Sequence, residues 1–501
     1  MRKKLVVLFI MFSLLLFISA CQIESSNFLP LSGESQDYGG IFSQGKITEI
    51  NVEIEESDWN DLVENAKEET YYSVDLTING KTITNVGFRA KGYSSLITVA
   101  DSESNRYGFR VKLDKYMDDQ TINGLDTFVL NASFADPSYM REYLTYAASA
   151  HLGVMTPNLA YTKLSINGEF FGLYLAIEAY DDSFVERYTD SKDTVLYKAD
   201  SESCTLTLDD DTSGFDVKYG EDDDYSNIKQ LIRVLNETTE DNKEQLEEIL
   251  DIDSVLKAIA VNTVMGNYDS YSGSKAHNYY LLYENGKFSY IGWDYNMSIG
   301  GFSEDNGASV TVDINEPIYN VELSQRPLIE KLLAIDEYKA TYLSYVQALI
   351  DYFDNFETQV DEIAQLIREY VEIDPTAFYT IEDFEASLVE SGTDLTQIQA
   401  KMPAFKNDSN GQLPNGEEMP QPPSDLGEGD MPQLPSELGE EMPQPPSHLD
   451  EDIPEKMPSD VLENQPPMGN KGGGGLLTQD AVSIMDYMLQ RIENIKTQLL
   501  N

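Results

Sequence analysis

Histidine and cysteine are nearly absent from this chain, with three and two copies in 501 residues, and Lys plus Arg number only 34 against 88 Asp plus Glu. Two cysteines exclude a disulfide framework and a Cys-based zinc module. A formal net charge of -54 disfavours attraction to phosphate backbones or anionic lipid, so nucleic acid is not an expected partner. What is there in quantity is apolar: 41% of residues are hydrophobic, ample for a real core.

Met1 to Lys4 is basic, Leu5 to Phe17 is apolar, and Ile18-Ser19-Ala20-Cys21 ends in small residues, the pattern of an export signal. Its end resembles a lipobox. That resemblance implies lipidation of Cys21 as the mature N-terminus and anchoring to the outer face of a bacterial cytoplasmic membrane, the only membrane contact expected. Cys204 is then left with no intrachain disulfide partner and is expected to be structural or incidental. Residues 22–45 are Ser/Gly-rich and read as a tether, with folding expected to begin near Ile47.

Alternating segments follow: ITEINVEIE (47–55), YYSVDLTING (71–80), KTITNVGFRAKG (81–92) and YGFRVKLDKY (107–116), with Asn79-Gly80 as a hairpin turn. DPSYMREYLTYAASAHLG (136–153) then puts Met140, Leu144, Ala147, Ala148 and Leu152 near helical spacing, with Asp136 as N-cap, Pro137 at N1 and Gly153 as stop. AYTKLSING (160–168) and EFFGLYLAIEAY (169–180) read as strands meeting at Asn167-Gly168, so residues 46–180 form a β-rich part.

Residues 225–266 read mostly as helix, and NYYLLYENGKFSYIGWDYNMSIGG (278–301) as a hairpin turning at Asn285-Gly286 and finishing at Asp294. Amphipathic helices run on to about 390, which makes 181–402 the α-rich part. From 403 to 475 Pro, Met, Gln, Gly and acid dominate, in a loose repeat starting at Met419, Met431 and Met442. Such a stretch buries too little apolar surface to offset chain entropy and reads as a disordered or polyproline-like insertion. Its Ser424, Ser436 and Ser447 read as solvated linker serines, with autophosphorylation as the sharper alternative. Residues 476–501 return to an amphipathic helix expected to pack on the α-rich part.

This order of elements resembles that of a protein kinase, although no kinase Gly-rich loop, His-Arg-Asp or Asp-Phe-Gly string is present. The strings NVGFRAKGYSS, YGFRVKLDKY, DPSYMREYLTYAASAHLG, LSINGEFFGLYLAIEAYDDSFVERY, LYKAD and HNYYLLYENGKFSYIGWDYNMSIGG together resemble the CotH family, the spore coat protein H kinases. The resemblance spans residues 47–302 and, more loosely, the helices after them. It implies an α+β, divergent protein-kinase-like bilobal fold, with a β-rich N-lobe and an α-rich C-lobe. It also implies ATP and Mg2+ as cofactors, with Mn2+ as the alternative ion, and transfer to Ser, or Thr, of secreted or spore coat proteins.

Phosphoryl transfer needs cations on the polyphosphate, oxygen ligands for the metal and a group that orients the attacking hydroxyl. Without the resemblance, Asp269 in GNYDSYSGSKAHNYYLL (266–282) reads as a helix-end turn residue. With it, Asp269 takes the acceptor hydroxyl, Asp294 takes the metal, and Asn278 is the second metal ligand if Tyr271 to Ala276 bulge. His277 is expected to orient that loop or a phosphate. Lys112, on the strand read as preceding the helix, matches the phosphate-holding lysine, with Arg89 and Lys91 reaching the same phosphates. Gly92, Ser94 and Ser95 replace the Gly-rich loop through backbone N–H groups and hydroxyls. Lys198 is a further phosphate candidate, Glu178 borders the adenine at the hinge, and the acidic partner of the lysine, facing from Arg141-Glu142, stays open.

The alternative function is a catalytically silent surface-binding or adhesion lipoprotein on the same scaffold, because an exported protein meets no ordinary ATP supply. A compartment such as the mother-cell or forespore space would lift that objection. The oligomeric state is not legible in the sequence.

Overall fold

The computed structural model describes residues 38–302, 307–398 and 482–500, all within one compact unit built from the chain on both sides of segment 401–468. Cys21, the export signal, residues 22–37 and the Pro-rich insertion with its three serines lie outside the described residues. The described chain is mixed α+β, with a β-rich N-terminal region and helices in the C-terminal region.

Strands β1 (Thr48–Glu53), β2 (Tyr72–Ile78), β3 (Lys81–Lys91), β4 (Gly108–Lys112), β5 (Thr127–Asn131), β6 (Leu159–Ile166) and β7 (Glu169–Glu178) close into a barrel in the order β1-β2-β3-β4-β5-β7-β6. The closure is parallel, β1 on β6, with Ile50 opposite Leu164; the remaining ladders are antiparallel. Both hairpin turns lie in the left-handed region, at Asn79-Gly80 (φ 46 and 80) and Asn167-Gly168 (φ 52 and 84), the geometry that two-residue turns require. Alternate side chains fill the barrel, where Phe88 stacks on Phe109 at 4.7 Å.

Two readings of the N-terminal region need correction. The tether ends early: Tyr38, Ile41 and Phe42 are 2%, 0% and 2% exposed and belong to the barrel core. Their Ser/Gly-rich surroundings hide three core side chains, and Gly39, Gly40 and Gly45 (φ 77, 99 and 66) supply the turns that fold the segment inward. β5 is also absent from the sequence reading, because TFVLN is buried on both faces and shows no alternation. Two short helices, α1 (Glu56–Glu64) and α2 (Ser94–Ala100), flank the barrel strands.

Helix α3 (Arg141–His151) begins five residues after Asp136, not at Pro137. Tyr139 at φ 59 interrupts the helical run, and the Asp136 carboxylate instead accepts from the Arg141 N–H at 2.9 Å through a turn. After β7, α4 (Asp182–Tyr188) leads to β8 (Val195–Ala199) and β9 (Phe215–Tyr219); then come α5 (Ser226–Glu237), α6 (Glu244–Glu247) and α7 (Ile252–Val264). β10 (Tyr279–Glu284) and β11 (Lys287–Gly292) form the hairpin at Asn285-Gly286 and join β8 and β9 in an antiparallel sheet of order β11-β10-β8-β9.

Helices α8 (Pro327–Leu333), α9 (Asp336–Tyr352), α10 (Phe356–Glu372) and α11 (Ile381–Ser387) follow, and α12 (Ile484–Leu499) returns across α7. Arg491 on α12 is fully buried and donates to Thr263 O at the C-terminal end of α7 and to Val310 O and Val312 O. The helix-end carbonyls satisfy the buried charge and hold α12 against the segment that precedes Asp269. Among the described residues no helix is long and apolar enough to cross a membrane.

Candidate active site

The segment 266–278 folds back on itself for local steric and hydrogen-bonding reasons. Gly266 (φ 58) leaves α7 where a Cβ would lie 1.9 Å from Tyr487 Oη, and a Cβ on Gly273 would lie 1.8 Å from Tyr268 O. The Ser270 hydroxyl donates to Asn267 O, and the buried Arg326 guanidinium donates to Gly273 O and Ser274 O. Tyr271 is buried, donating to Thr205 O and accepting from Leu328 N. Together these contacts hold the loop that runs from Asp269 to Asn278.

The outcome is a compact polar group. Asn278 Nδ2 donates to the Asp269 main-chain oxygen (2.8 Å) and carboxylate (3.3 Å), and His277 Nε2 lies 2.8 Å from Asp269 Oδ1. Asn278 Oδ1 accepts no hydrogen bond among the described residues and remains available as an oxygen ligand. Trp293 N donates to Asn278 O at 3.0 Å, which places Asp294 beside this loop. Ala276, Asn278 and Asp294 adopt φ of 49, 57 and 57, a local concentration of left-handed non-glycine backbone of the kind that functional sites retain.

Asp294 follows β11 and opens a 3-10 turn over Tyr295–Met297. Burial pushes its carboxyl above the ordinary range; Lys91 opposes that rise, Asp269 adds to it, and His277 and Lys198 oppose it. Those four side chains are among its charged surroundings. Lys91 comes from the last residue of β3, and the chain turns off that strand at Gly92 (φ 135), where a Cβ would meet Ser95 Oγ at 2.8 Å and Leu96 N at 3.3 Å. Lys91 makes no ion pair among the described residues.

Glu142, not Arg141, faces this group. Arg141 turns away to Asp136 (2.8 Å) and Val482 O, whereas Glu142 is 5% exposed and accepts from Asn131 Nδ2 at 2.5 Å. Burial, then the Asp294 charge, pushes Glu142 up to about 8, against the pull of Lys91. Asn131 has no place in the sequence reading because β5 has none, and its signal lay in the short apolar run ending at Asn131; Glu142 stood there beside Arg141 as one of two open candidates.

Several expected site residues are placed elsewhere. Lys112 pairs with Gly87 while Lys91 pairs with Gly108, so the two lysines stand at opposite ends of the β3–β4 ladder. Lys112 acts on Asp182, and the strand before α3 is β5; the lysine that acts on Asp294 and Glu142 is Lys91. Arg89 is held by Glu69 at 2.6 Å and lies over the Tyr71 ring at 5.1 Å. Glu178 is fully buried and committed to Tyr38, Asn158 and Arg187, which leaves no carboxylate face for an adenine. Ser94 is exposed and Ser95 half-buried at the start of α2, directly after Gly92. Lys198 is bound to Asp200 at 2.5 Å while contributing to the field at Asp294.

A cluster of rings adjoins Asp294: Tyr180 lies 4.8 Å from Trp293 and 5.0 Å from Tyr280, and its hydroxyl donates to Gly292 O. Half-buried Trp293, next to Asp294 in GWDYN, was the sequence signal for it.

The family model described as "CotH kinase protein" matches residues 88–404, more than half of the chain and the whole of the Asp269–Asn278–Asp294 group. The inner spore coat protein H of Bacillus subtilis (strain 168) is 24% identical over 280 residues, covering 53% of this chain and 74% of the relative. With that span matched, the chain belongs to the CotH kinase protein family.

Proposed function

We propose that this protein is an exported, ATP-dependent protein kinase that phosphorylates Ser, or Thr, of secreted or spore coat proteins and is anchored to the membrane through Cys21. The observation that carries the reading is the convergence of Asp269, with its His277 and Asn278 partners, on Asp294 and the unpaired Lys91. This arrangement supplies each part that phosphoryl transfer requires. The barrel and the helical region then stand as the two lobes of a divergent kinase-like fold, with the site between β3, α3 and the β10–β11 hairpin.

The Asp269 carboxylate, fixed on both oxygens, orients the acceptor hydroxyl and receives its proton as the oxygen attacks the γ-phosphorus and ADP departs. Lys91 holds phosphate oxygens. Asp294 and Asn278 Oδ1 suit Mg2+, or Mn2+, which when bound neutralises charge on the phosphates. Among the described residues no three His, Cys, Asp or Glu side chains form a metal site by themselves, in keeping with an ion shared with nucleotide oxygens. The half-buried face of Trp293 offers a base a stacking surface.

The test is nucleotide binding and phosphate transfer in wild type, Asp294→Ala and Asp269→Ala. Asp294→Ala is expected to lose Mg2+-dependent ATP binding and transfer; Asp269→Ala is expected to lose transfer and keep nucleotide. Equal failure of all three proteins to bind ATP would replace the kinase by a silent binding scaffold.

A further inference from the structure

Glu142 is a buried carboxyl group with no cation bound to it among the described residues. It opens α3, is 5% exposed, and accepts its hydrogen bond from the neutral amide of Asn131. Among the described residues neither Glu142 nor Lys91 makes an ion pair, and Asp294 accepts no hydrogen bond on its side chain. The usual role of a glutamate at this place in a helix, pairing with the phosphate lysine, is therefore not the one seen.

The rotation of α3 explains which way the carboxylate faces. Tyr146 meets Tyr295 edge-on at 4.8 Å, Thr145 Oγ1 lies 2.7 Å from Ser298 Oγ, and Arg141 Nε reaches Ile299 O at 3.4 Å. These contacts lay the first two turns of α3 along residues 295–299, and Asp294 is the leading like charge acting on Glu142. A buried carboxyl group with a single amide donor, on a helix laid along the residues that follow a second, half-buried carboxyl with none, is unfavourably placed until a cation joins the two.

We propose that Glu142 is a direct ligand, together with Asp294, of the divalent cation that accompanies the nucleotide, and that Asn131 positions it by holding one carboxylate oxygen. This rests on the phosphotransferase reading and adds a residue to it. Mg2+ is commonly held by one or two carboxylates with phosphate oxygens and water completing the shell, so Glu142 and Asp294 suffice without a third acid.

Mn2+ binding to the full chain, followed by the electron paramagnetic resonance signal of the free ion with and without a non-hydrolysable ATP analogue, tests the assignment. Glu142→Gln keeps the shape and the Asn131 contact and is expected to weaken Mn2+ binding by about 10-fold or more, the scale on which even outer partners of metal ligands act. Its metal-free melting temperature is expected to stay at or above that of wild type. Glu142→Asp, which retains the charge one methylene back, decides the question if the glutamine variant does not fold, and is expected to lose affinity as well. Unchanged Mn2+ affinity in a folded variant, with weaker binding of the metal-free analogue, overturns the proposal and returns Glu142 to Lys91. Absence of Mn2+ binding in wild type, even with the analogue, instead overturns the phosphotransferase reading and this proposal with it.

Discussion

Asn278 Nδ2 donates to Asp269 twice, to the main-chain oxygen at 2.8 Å and to the carboxylate at 3.3 Å, across a loop that buries Tyr271 and closes on Gly273. One amide thus fixes the orientation of the proposed acceptor-binding carboxylate and leaves its own oxygen for a metal.

Asn278→Ala is expected to lower kcat for phosphate transfer by on the order of 10²-fold, the usual scale for a misplaced general base. Nucleotide binding is expected to weaken as well, since the same residue is proposed to ligate the ion. Single-turnover rates set beside ATP titrations separate the two effects, and a change in affinity with an unaltered rate would contradict the positioning role.

Gly273→Ala is expected to destabilise the protein by about 3 kcal/mol or more, because its Cβ would overlap Tyr268 O, a backbone atom that cannot swing aside. Gly286→Ala, at φ 84 in the β10–β11 turn with open space around it, is expected to cost only about 1 kcal/mol from backbone strain. Thermal melts of the pair test whether the loop is held by steric closure; similar losses for both would argue against it.

Cys204 is fully buried, and burial pushes its thiol up to about 12. In protein lacking residues 1–21 it is expected to resist alkylation at pH 9 when native and to react readily in denaturant. The folded state keeps a proton that the unfolded thiol releases above about pH 8.5, so this contribution to stability is complete below that pH and is lost as pH climbs toward 12. Alkylation rates from pH 7 to 10 check it, and rapid native labelling would show the thiol to be accessible.

Residues 38–45 are expected to be part of the fold. Ile41→Ala and Phe42→Ala should each cost about 3 kcal/mol, as buried large-to-small changes do, and protein beginning at Lys46 should melt well below the full chain. Equal melting temperatures would return the segment to the tether.

The local features were legible because their causes are local. Asn-Gly pairs take the left-handed turn that joins two strands whatever surrounds them, so the hairpins at 79–80, 167–168 and 285–286 stood in the sequence. The succession of a helix, a polar loop and a hairpin running into Asp294 is equally plain in the sequence, and together with the family resemblance it makes Asp269, Asn278 and Asp294 candidates. Asp136 misled by a few residues, since capping through a turn and capping in place look alike in one dimension.

Which basic and acidic side chains join that group was decided only by the tertiary structure. Lys91 and Lys112 have similar strand surroundings in the sequence, and the β3–β4 register alone sends one to each end of the ladder. Arg141 and Glu142 are adjacent, and the packing of Tyr146 and Thr145 against residues 295–298 sets the helix rotation that turns Glu142 toward Asp294. Glu178 reads as a free hinge carboxylate until Tyr38, far from it in sequence, and Arg187, one short helix further on, are seen to consume it. Turn chemistry acts over neighbouring residues, whereas strand register, helix rotation and charge pairing depend on partners that only the folded chain brings together.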